Sequence, residues 1–176
     1  EKTDRLLDQH RLEDKKFIAV NPVAYWETKL WDDEKFACLA DLIHNALQMK
    51  VVFTGSEKEK EVIKKITSLM TTESIDLSGK TTLLELANLY KKARMLITTD
   101  SGPMHLAAAV ATPVIALFGP TDPARTGPYG VGHTIIRTGL PCSPCLLKKC
   151  PTRQCMVNIL PQQVFDAVEK KLTKES

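Results

Sequence analysis

The sequence lacks any apolar run near the roughly 18 residues that a membrane-spanning helix requires, so we predict no transmembrane helix. Segment 1–16 is charged and has no apolar core of the kind found in secretory signal peptides. A strong surplus of one charge is also missing, because 24 Lys and Arg residues face 21 Asp and Glu residues. The net charge of +3 is small and scattered, which argues against a nucleic-acid-binding surface.

Cysteine is scarce over most of the chain, since Cys38 stands alone before residue 142. This scarcity, together with the missing signal peptide, favours a cytosolic protein. Four cysteines then fall within fourteen residues: Cys142, Cys145, Cys150 and Cys155. Four thiolates are the ligand set of a tetrahedral structural zinc, and the neighbouring Lys148 and Lys149 favour charged thiolates. The sequence leaves three readings open: a zinc ion that staples this loop, a set of reduced structural thiols, and thiols that become oxidised as an artefact.

The glycine-rich fingerprints of standard NAD enzymes and P-loop ATPases are absent, which argues against both classes. Short apolar segments instead alternate with segments of helical periodicity. We predict strands at 17–21, 51–54, 75–77, 95–99, 113–118 and 133–137, and helices from Asp32 or Asp33, at 57–70, from Thr81 or Thr82, at 104–110 and from Pro161. This alternation predicts an α/β fold, a Rossmann-like parallel sheet with helices on both faces.

The end of the fourth predicted strand is the most informative part of the sequence, because ligands of such sheets bind beyond the carboxyl ends of the strands. Asp100 ends the strand, Ser101 and Gly102 open a helix, and His105 follows one turn later. The first N–H groups of a helix bind anions, and Gly102 lets an anion approach closely. Each residue alone has a structural explanation, as helix cap, turn residue or core histidine. Their clustering at one strand end favours a binding site.

Two other loops carry candidate binding residues. Lys29 lies between Trp26 and Trp31 after the first strand, where its ammonium group could contact a phosphate. The alternative is a solvated surface lysine beside two packed indoles. After the second strand, the carboxylate of Glu57 or Glu59 could accept the ribose hydroxyls of a nucleotide. Acidic residues are also favoured in the first turn of any helix, so this signal is weak alone.

The sequence blocks DSGPMHLAAA at 100–109 and LFGPTDP at 117–123 are specific, and several other segments support them. The supporting segments are Asn21-Pro22, 28–31, 52–55, 77–81, the cysteine motif 142–145, and Cys155-Met156. Together they resemble the ADP-heptose:lipopolysaccharide heptosyltransferases of glycosyltransferase family 9, over about residues 17–172. The resemblance covers nearly the whole chain.

The resemblance implies a GT-B enzyme, in which two Rossmann-like domains enclose the active site. Residues 17–176 then form the C-terminal domain, which binds the nucleotide-sugar donor, and residues 1–16 form a lead-in or interdomain segment. The N-terminal acceptor domain, with the catalytic base, is absent from this chain. The implied reaction is an inverting transfer of heptose, or a related sugar, from a nucleoside-diphosphate sugar to a lipopolysaccharide-core acceptor. No cofactor is required, and the expected location is cytoplasmic, at the inner face of the inner membrane.

The resemblance also implies roles for single residues. Lys29 meets the donor phosphates and Asp100 the sugar hydroxyls, so these two carry the chemistry. The other expected donor-binding residues are Ser101 and Gly102 for phosphate, His105 in the same pocket, Glu59 (with Glu57 as second choice) for ribose, and the backbone around Thr81 for adenine. Tyr25 departs from the small hydroxyl residue that many members carry four positions before the lysine. Its hydroxyl can donate to phosphate, while its bulk affects which donor fits.

Two further functions compete with this hypothesis. The chain could be a non-catalytic interaction module, stapled through its cysteines on a Rossmann-like scaffold. It could also be half of a nucleotide-sugar epimerase of similar two-domain build. Loss of nucleotide binding on Asp100→Ala or Lys29→Ala distinguishes the first alternative, and product analysis on the full-length protein distinguishes the second.

Overall fold

The computed structural model describes residues 2–174 and contains one sheet of six parallel strands. The strands are β1 (Phe17–Asn21), β2 (Lys50–Phe53), β3 (Ile75–Asp76), β4 (Met95–Thr99), β5 (Val114–Leu117) and β6 (Thr134–Ile136). Their order across the sheet is β3-β2-β1-β4-β5-β6, and every neighbouring pair is parallel. The predicted α/β fold with a parallel sheet is therefore confirmed.

Helices cover both faces of this sheet. They are α1 (Lys2–Gln9), α2 (Asp33–Leu47), α3 (Lys60–Leu69), α4 (Leu83–Lys92), α5 (Gly102–Ala109), α6 (Pro123–Thr126), α7 (Gln154–Val157) and α8 (Pro161–Lys174). Successive strand residues point to opposite faces, so Ile18 and Val20 enter one hydrophobic cluster while Phe17 and Ala19 enter the other. The first cluster includes α2, α3 and α8, and the second includes α4 and α5. No helix within residues 2–174 is long and apolar enough to cross a membrane.

The segment expected to be a lead-in contains helix α1, which packs against α4. Leu7 and Leu12 are buried in the same cluster as Leu89 of α4. A salt bridge of 3.1 Å joins Lys2 Nζ to Glu85 Oε2 at the surface of this contact. The segment thus packs onto the domain that follows it.

The predicted elements differ from the observed ones mainly at their ends. The helix predicted at 57–70 begins as a 3₁₀ helix, Glu57–Glu59, and continues as α3. Helices α6 and α7 and the 3₁₀ helix Glu27–Lys29 have three or four residues each. These elements were not predicted, because so short a segment shows no apolar periodicity.

The sheet reverses its strand order between β1 and β4. Chains leaving two such strands diverge to opposite sides and open a crevice at the carboxyl ends. The loops that border this crevice follow Asn21 and Thr99. They carry Lys29 and the residues Asp100 to Gly102, respectively.

Candidate functional site

Two adjoining cavities lie at the carboxyl ends of the strands, each with a volume of about 330 Å³. The first is lined by residues of the loops after β1, β2 and β3, among them Asn21, Ser56, Glu59, Thr81, Thr82 and Leu86. The second is lined by Tyr25, Trp26, Lys29, Asp100, Ser101, Gly102, His105 and Thr126. Tyr25, Ser101 and Gly102 line both cavities. All eight predicted donor-binding residues therefore lie at one continuous site.

Lys29 and Asp100 form an ion pair at the bottom of the second cavity. Lys29 Nζ lies 2.7 Å from Asp100 Oδ2, and the two side chains are 16% and 4% exposed. The same carboxylate oxygen accepts hydrogen bonds from the hydroxyls of Thr121 at 2.6 Å and Thr126 at 3.4 Å. The two threonines were not predicted as site residues, although Thr121 belongs to the LFGPTDP block.

The ammonium group of Lys29 also contacts an aromatic face. Its Nζ lies 4.6 Å from the centroid of the Trp26 ring, within the range of a cation–π contact. Lys29 belongs to the 3₁₀ helix Glu27–Lys29, which brings its side chain back toward the end of β4. Trp26 was expected to pack rather than bind, and it contributes to the wall of the second cavity.

Helix α5 begins at the junction of the two cavities. Ser101 is its N-cap residue by backbone geometry, with φ −149° and ψ 171°, so Asp100 is not the cap. The Ser101 hydroxyl lies 3.3 Å from the hydroxyl of Thr98. A Cβ built on Gly102 meets no atom within 4 Å, which leaves the approach to this helix end open. His105 is exposed and lines the second cavity, so it is not a core histidine.

The structure distinguishes between the two acidic residues after β2. Glu59 lines the first cavity, and its Oε2 accepts the backbone N–H of Ser56 at 2.6 Å. Glu57 instead pairs with Lys60 at 2.6 Å. The first cavity's lining, within residues 2–174, includes Glu59 and not Glu57. Glu59 thus has one carboxylate oxygen engaged in the helix start and a second oxygen available to a ligand.

The two remaining predicted site residues, Tyr25 and Thr81, lie at the edges of the cavities. Tyr25 is 97% exposed and stands at the boundary that both cavities share. Thr81 is partly exposed at the end of the first cavity, before the capping residue Thr82 of α4. A large exposed ring at the shared boundary can cover a bound ligand from the solvent side.

Asn21 forms the floor of the first cavity and was not predicted as a site residue. It is 2% exposed, and its Nδ2 donates to the carbonyl of Thr54 at 2.9 Å. The Thr54 hydroxyl lies 2.9 Å from the hydroxyl of Tyr90, and burial raises the pKa of that phenol. This network joins β1, β2 and α4 beneath the cavity. Its sequence signals are an asparagine at the end of a buried strand and the Asn21-Pro22 segment that supports the family resemblance.

Zinc was one of the readings left open for the four clustered cysteines, and the structure gives it no support. Within residues 2–174, no three His, Cys, Asp or Glu side chains are grouped so as to hold a metal ion, and the thiols are free. Cys150 Sγ instead accepts the backbone N–H of Arg153 at 3.4 Å, which lowers the pKa of that thiol. Cys155 packs beside Gly119, and burial raises its pKa.

The family model that matches this chain, and the related sequences described below, are those of heptosyltransferases. The family model of glycosyltransferase family 9 (heptosyltransferase) matches residues 1–156. A lipooligosaccharide heptosyltransferase 2 of Campylobacter jejuni is 32% identical in an alignment of 169 residues that covers 92% of this chain and 52% of that protein. A lipopolysaccharide heptosyltransferase 1 of Pseudomonas aeruginosa is 29% identical over 84% of this chain and 45% of its own length.

Solved structures show the same fold. A glycosyl transferase family 9 protein from Veillonella parvula superposes with a TM-score of 0.85 at 30% identity, over 98% of this chain and 51% of that one. The E. coli ADP-heptose LPS heptosyltransferase II gives 0.81 at 27% identity, over 99% and 52%. The chain thus spans about half the length of the relatives it matches.

Proposed function

This chain belongs to glycosyltransferase family 9, and from that premise we propose that it is the donor-binding domain of a heptosyltransferase. The single observation that carries the proposal is the Lys29–Asp100 ion pair, which stands beside the open start of α5 where two cavities meet. This arrangement suits a ligand that has two neutral ends and an anionic middle. A nucleoside-diphosphate sugar is such a ligand.

In the proposed complex the nucleoside occupies the first cavity. Glu59 accepts the ribose hydroxyls, and the backbone around Thr81 faces the base. The diphosphate crosses the shared boundary at Ser101 and Gly102, where the N-terminus of α5 favours negative charge. The sugar enters the second cavity, where its hydroxyls reach Asp100 and His105.

The proposed reaction is an inverting sugar transfer. An acceptor hydroxyl oxygen attacks the anomeric carbon, the bond from that carbon to the diphosphate breaks, and the nucleoside diphosphate leaves with the bonding electrons. Lys29 and the start of α5 stabilise the negative charge that develops on the diphosphate. Because these groups are fixed before the reaction, little reorganisation accompanies the step. The acceptor proton passes to a base that we assign to the N-terminal domain.

The whole enzyme's partners follow from the same proposal. Residues 17–176 form the donor domain, an N-terminal domain binds a lipopolysaccharide-core acceptor, and the enzyme works at the cytoplasmic side of the inner membrane. The support is the similarity to lipopolysaccharide heptosyltransferases, each about twice the length of this chain. ADP-heptose is the proposed donor because the E. coli relative carries that substrate in its name. Tyr25 selects among related donors through its bulk at the shared boundary.

The two competing functions are less well supported. Family membership favours a transferase over an epimerase. A purely structural interaction module does not explain a nearly buried ion pair that lines a cavity. Product analysis on the full-length protein remains the direct test between transferase and epimerase.

The test of donor binding is calorimetric titration of the chain with ADP. We expect heat of binding for the wild type, and a loss of affinity of about tenfold or more for Lys29→Ala, since a lysine–phosphate contact is removed. Lys91→Ala, on the exposed side of α4, is the matched control and is expected to bind as the wild type. No heat at about 1 mM ADP would count against the proposal, because a specific site for a substrate nucleotide binds below that concentration.

A further inference from the structure

The segment that carries the four cysteines contacts the loop that carries Lys29. We call residues 138–159 the cysteine segment and residues 26–32 the Lys29 turn. The hydroxyl of Thr28, which is 1% exposed, donates to the carbonyl of Leu147 at 2.7 Å. The indole N–H of Trp31 donates to the carbonyl of Ile159 at 3.0 Å. Residues more than a hundred positions apart in sequence are thus joined directly.

Arg153 makes the most extensive of these contacts. Its Nη1 donates to the carbonyl of Leu30 at 3.0 Å, and its Nη2 lies 3.5 Å from Asp32 Oδ1. Its own backbone N–H donates to Cys150 Sγ at 3.4 Å. A planar guanidinium group that contacts two neighbouring acceptors fixes the distance between them as well as the position of each. Arg153 therefore fixes the end of the Lys29 turn.

The Lys29 turn has few internal contacts of its own. The 3₁₀ helix Glu27–Lys29 is held by hydrogen bonds from Lys29 N to Trp26 O, at 3.0 Å, and from Leu30 N to Glu27 O, at 3.1 Å. A helical turn of this length is not stable alone, because ordering it costs more than two hydrogen bonds return. Its geometry, and with it the position of Lys29 Nζ, depends on contacts from outside the turn.

We propose that Arg153 is a positioning residue for the diphosphate site. From the cysteine segment it holds the backbone carbonyl of Leu30, and through that contact it fixes the position of Lys29. The inference rests on the proposed function, since it assigns a task to a residue outside both cavities. Lys29 must present its ammonium group to the diphosphate within a few tenths of an ångström. Lys148 supports the same turn from the cysteine segment, with its Nζ 5.2 Å from the centroid of the Trp26 ring.

The test compares Arg153→Ala and Arg153→Lys with a control at Arg137, the residue that immediately precedes the cysteine segment, as Arg137→Ala. Arg137 donates to Ser143 within the cysteine segment and not to the Lys29 turn. Calorimetry with ADP and with adenosine separates diphosphate contacts from nucleoside contacts. For Arg153→Ala we expect ADP affinity to fall about tenfold with adenosine affinity unchanged, since misplacement by about 1 Å has effects of that size or larger. Arg153→Lys recovers part of the loss, and Arg137→Ala binds both ligands as the wild type.

Hydrogen exchange at the amides of Lys29 and Leu30 tests the positioning without any ligand. We expect faster exchange in Arg153→Ala than in Arg137→Ala. If Arg153→Ala fails to fold, Thr28→Val removes a different contact to the same turn and serves for both measurements. Equal losses for ADP and adenosine, or unchanged exchange at the two amides, overturn the inference. If the wild type binds no ADP, while the amides of Lys29 and Leu30 still exchange faster in Arg153→Ala than in Arg137→Ala, the proposed function is overturned. The role of Arg153 in positioning the Lys29 turn then remains supported.

Discussion

The ammonium group of Lys29 and the carboxylate of Asp100 lie 2.7 Å apart, although they follow β1 and β4 and are separated by about seventy residues in sequence. These are the two strands at which the sheet reverses its order. The fold therefore places a cation and an anion together at the crevice where such sheets bind ligands. In the proposed donor complex the diphosphate would compete with Asp100 for Lys29, and this competition can be tested.

The first prediction concerns Asp100→Asn, which keeps the shape of the side chain and removes its charge. Lys29 then keeps a largely buried charge without its partner, so we expect the free energy of unfolding to fall by about 1–3 kcal/mol. Affinity for ADP rises by about threefold, because Lys29 is free to contact the diphosphate. Affinity for ADP-heptose rises less, because the sugar loses a charged acceptor. Urea denaturation and calorimetry measure these effects.

The matched control for that substitution is Asp122→Asn. Asp122 caps α6 through its Oδ1, and asparagine caps a helix about as well as aspartate. The control therefore removes one negative charge near the site without breaking the ion pair. Equal unfolding free energies for the two variants would show that the Lys29–Asp100 pair contributes nothing to stability.

The second prediction concerns Gly102→Ala. Apart from its chain neighbours and the backbone of its own helix turn, the added methyl group has no atom within 4 Å, so it projects into the space at the start of α5. We expect unchanged or slightly raised stability, by up to about 0.5 kcal/mol, since alanine is preferred to glycine in helices. ADP affinity falls about tenfold, because the methyl group keeps the diphosphate from the helix N–H groups. Thermal unfolding and calorimetry together separate the two effects.

Gly119→Ala is the contrasting variant. Its added Cβ would stand 2.7 Å from Met156 Sδ, so a structural change is unavoidable. We expect a lower melting temperature there, with ADP affinity changed only through loss of folded protein. If Gly102→Ala instead lowered the melting temperature as Gly119→Ala does, the space at the start of α5 would not be open as described.

Much of this site was predictable from the sequence because its residues end buried strands. Asp100, Ser101 and Gly102 follow the short strand pattern Met-Leu-Ile-Thr-Thr at 95–99, and parallel strand ends converge in space. Thr121, in a loop, and Asn21, at the last position of β1, were missed because no periodicity marks a single polar residue at such a place. The sequence left zinc open for the four cysteines, because cysteine spacing fixes the number of possible ligands and not their geometry. The link between Arg153 and Leu30 depends on a tertiary contact that no local pattern records.

The third prediction separates the two tasks of Glu59. Glu59→Gln preserves an oxygen acceptor for the Ser56 N–H, whereas Glu59→Ala removes it and costs about 1 kcal/mol of unfolding free energy. Both variants lose the second carboxylate oxygen proposed to hold the ribose. We expect wild type to prefer ADP to 2′-deoxy-ADP, and both variants to lose most of that preference. Competition calorimetry measures the ratio, and an unchanged ratio in Glu59→Ala would remove Glu59 from the ribose contact.

The last prediction concerns the pH dependence of stability, for which His133 is a specific contributor. Its Nδ1 accepts the backbone N–H of Val114 at 3.2 Å, and its Nε2 lies 3.1 Å from the carbonyl of Tyr129. Desolvation lowers the pKa of this imidazole below its ordinary value of 6.5, with a smaller contribution from the charge of Lys171. The folded state therefore holds His133 neutral at a pH where the unfolded chain already binds a proton.

The sign of the effect follows from this difference in proton uptake. As the pH falls below about 6.5, the unfolded state gains the proton first, so the free energy of unfolding decreases until the folded pKa is reached. His133→Asn removes the titrating group, so its stability should change less than that of wild type between about pH 7.5 and 5.5. The pKa of His10 is lowered as well, chiefly by desolvation, so His10→Asn should flatten the profile further. Urea denaturation midpoints measured across this pH range test the prediction. If the midpoints of wild type and His133→Asn change with pH in parallel, His133 is excluded as a source of the pH dependence of stability.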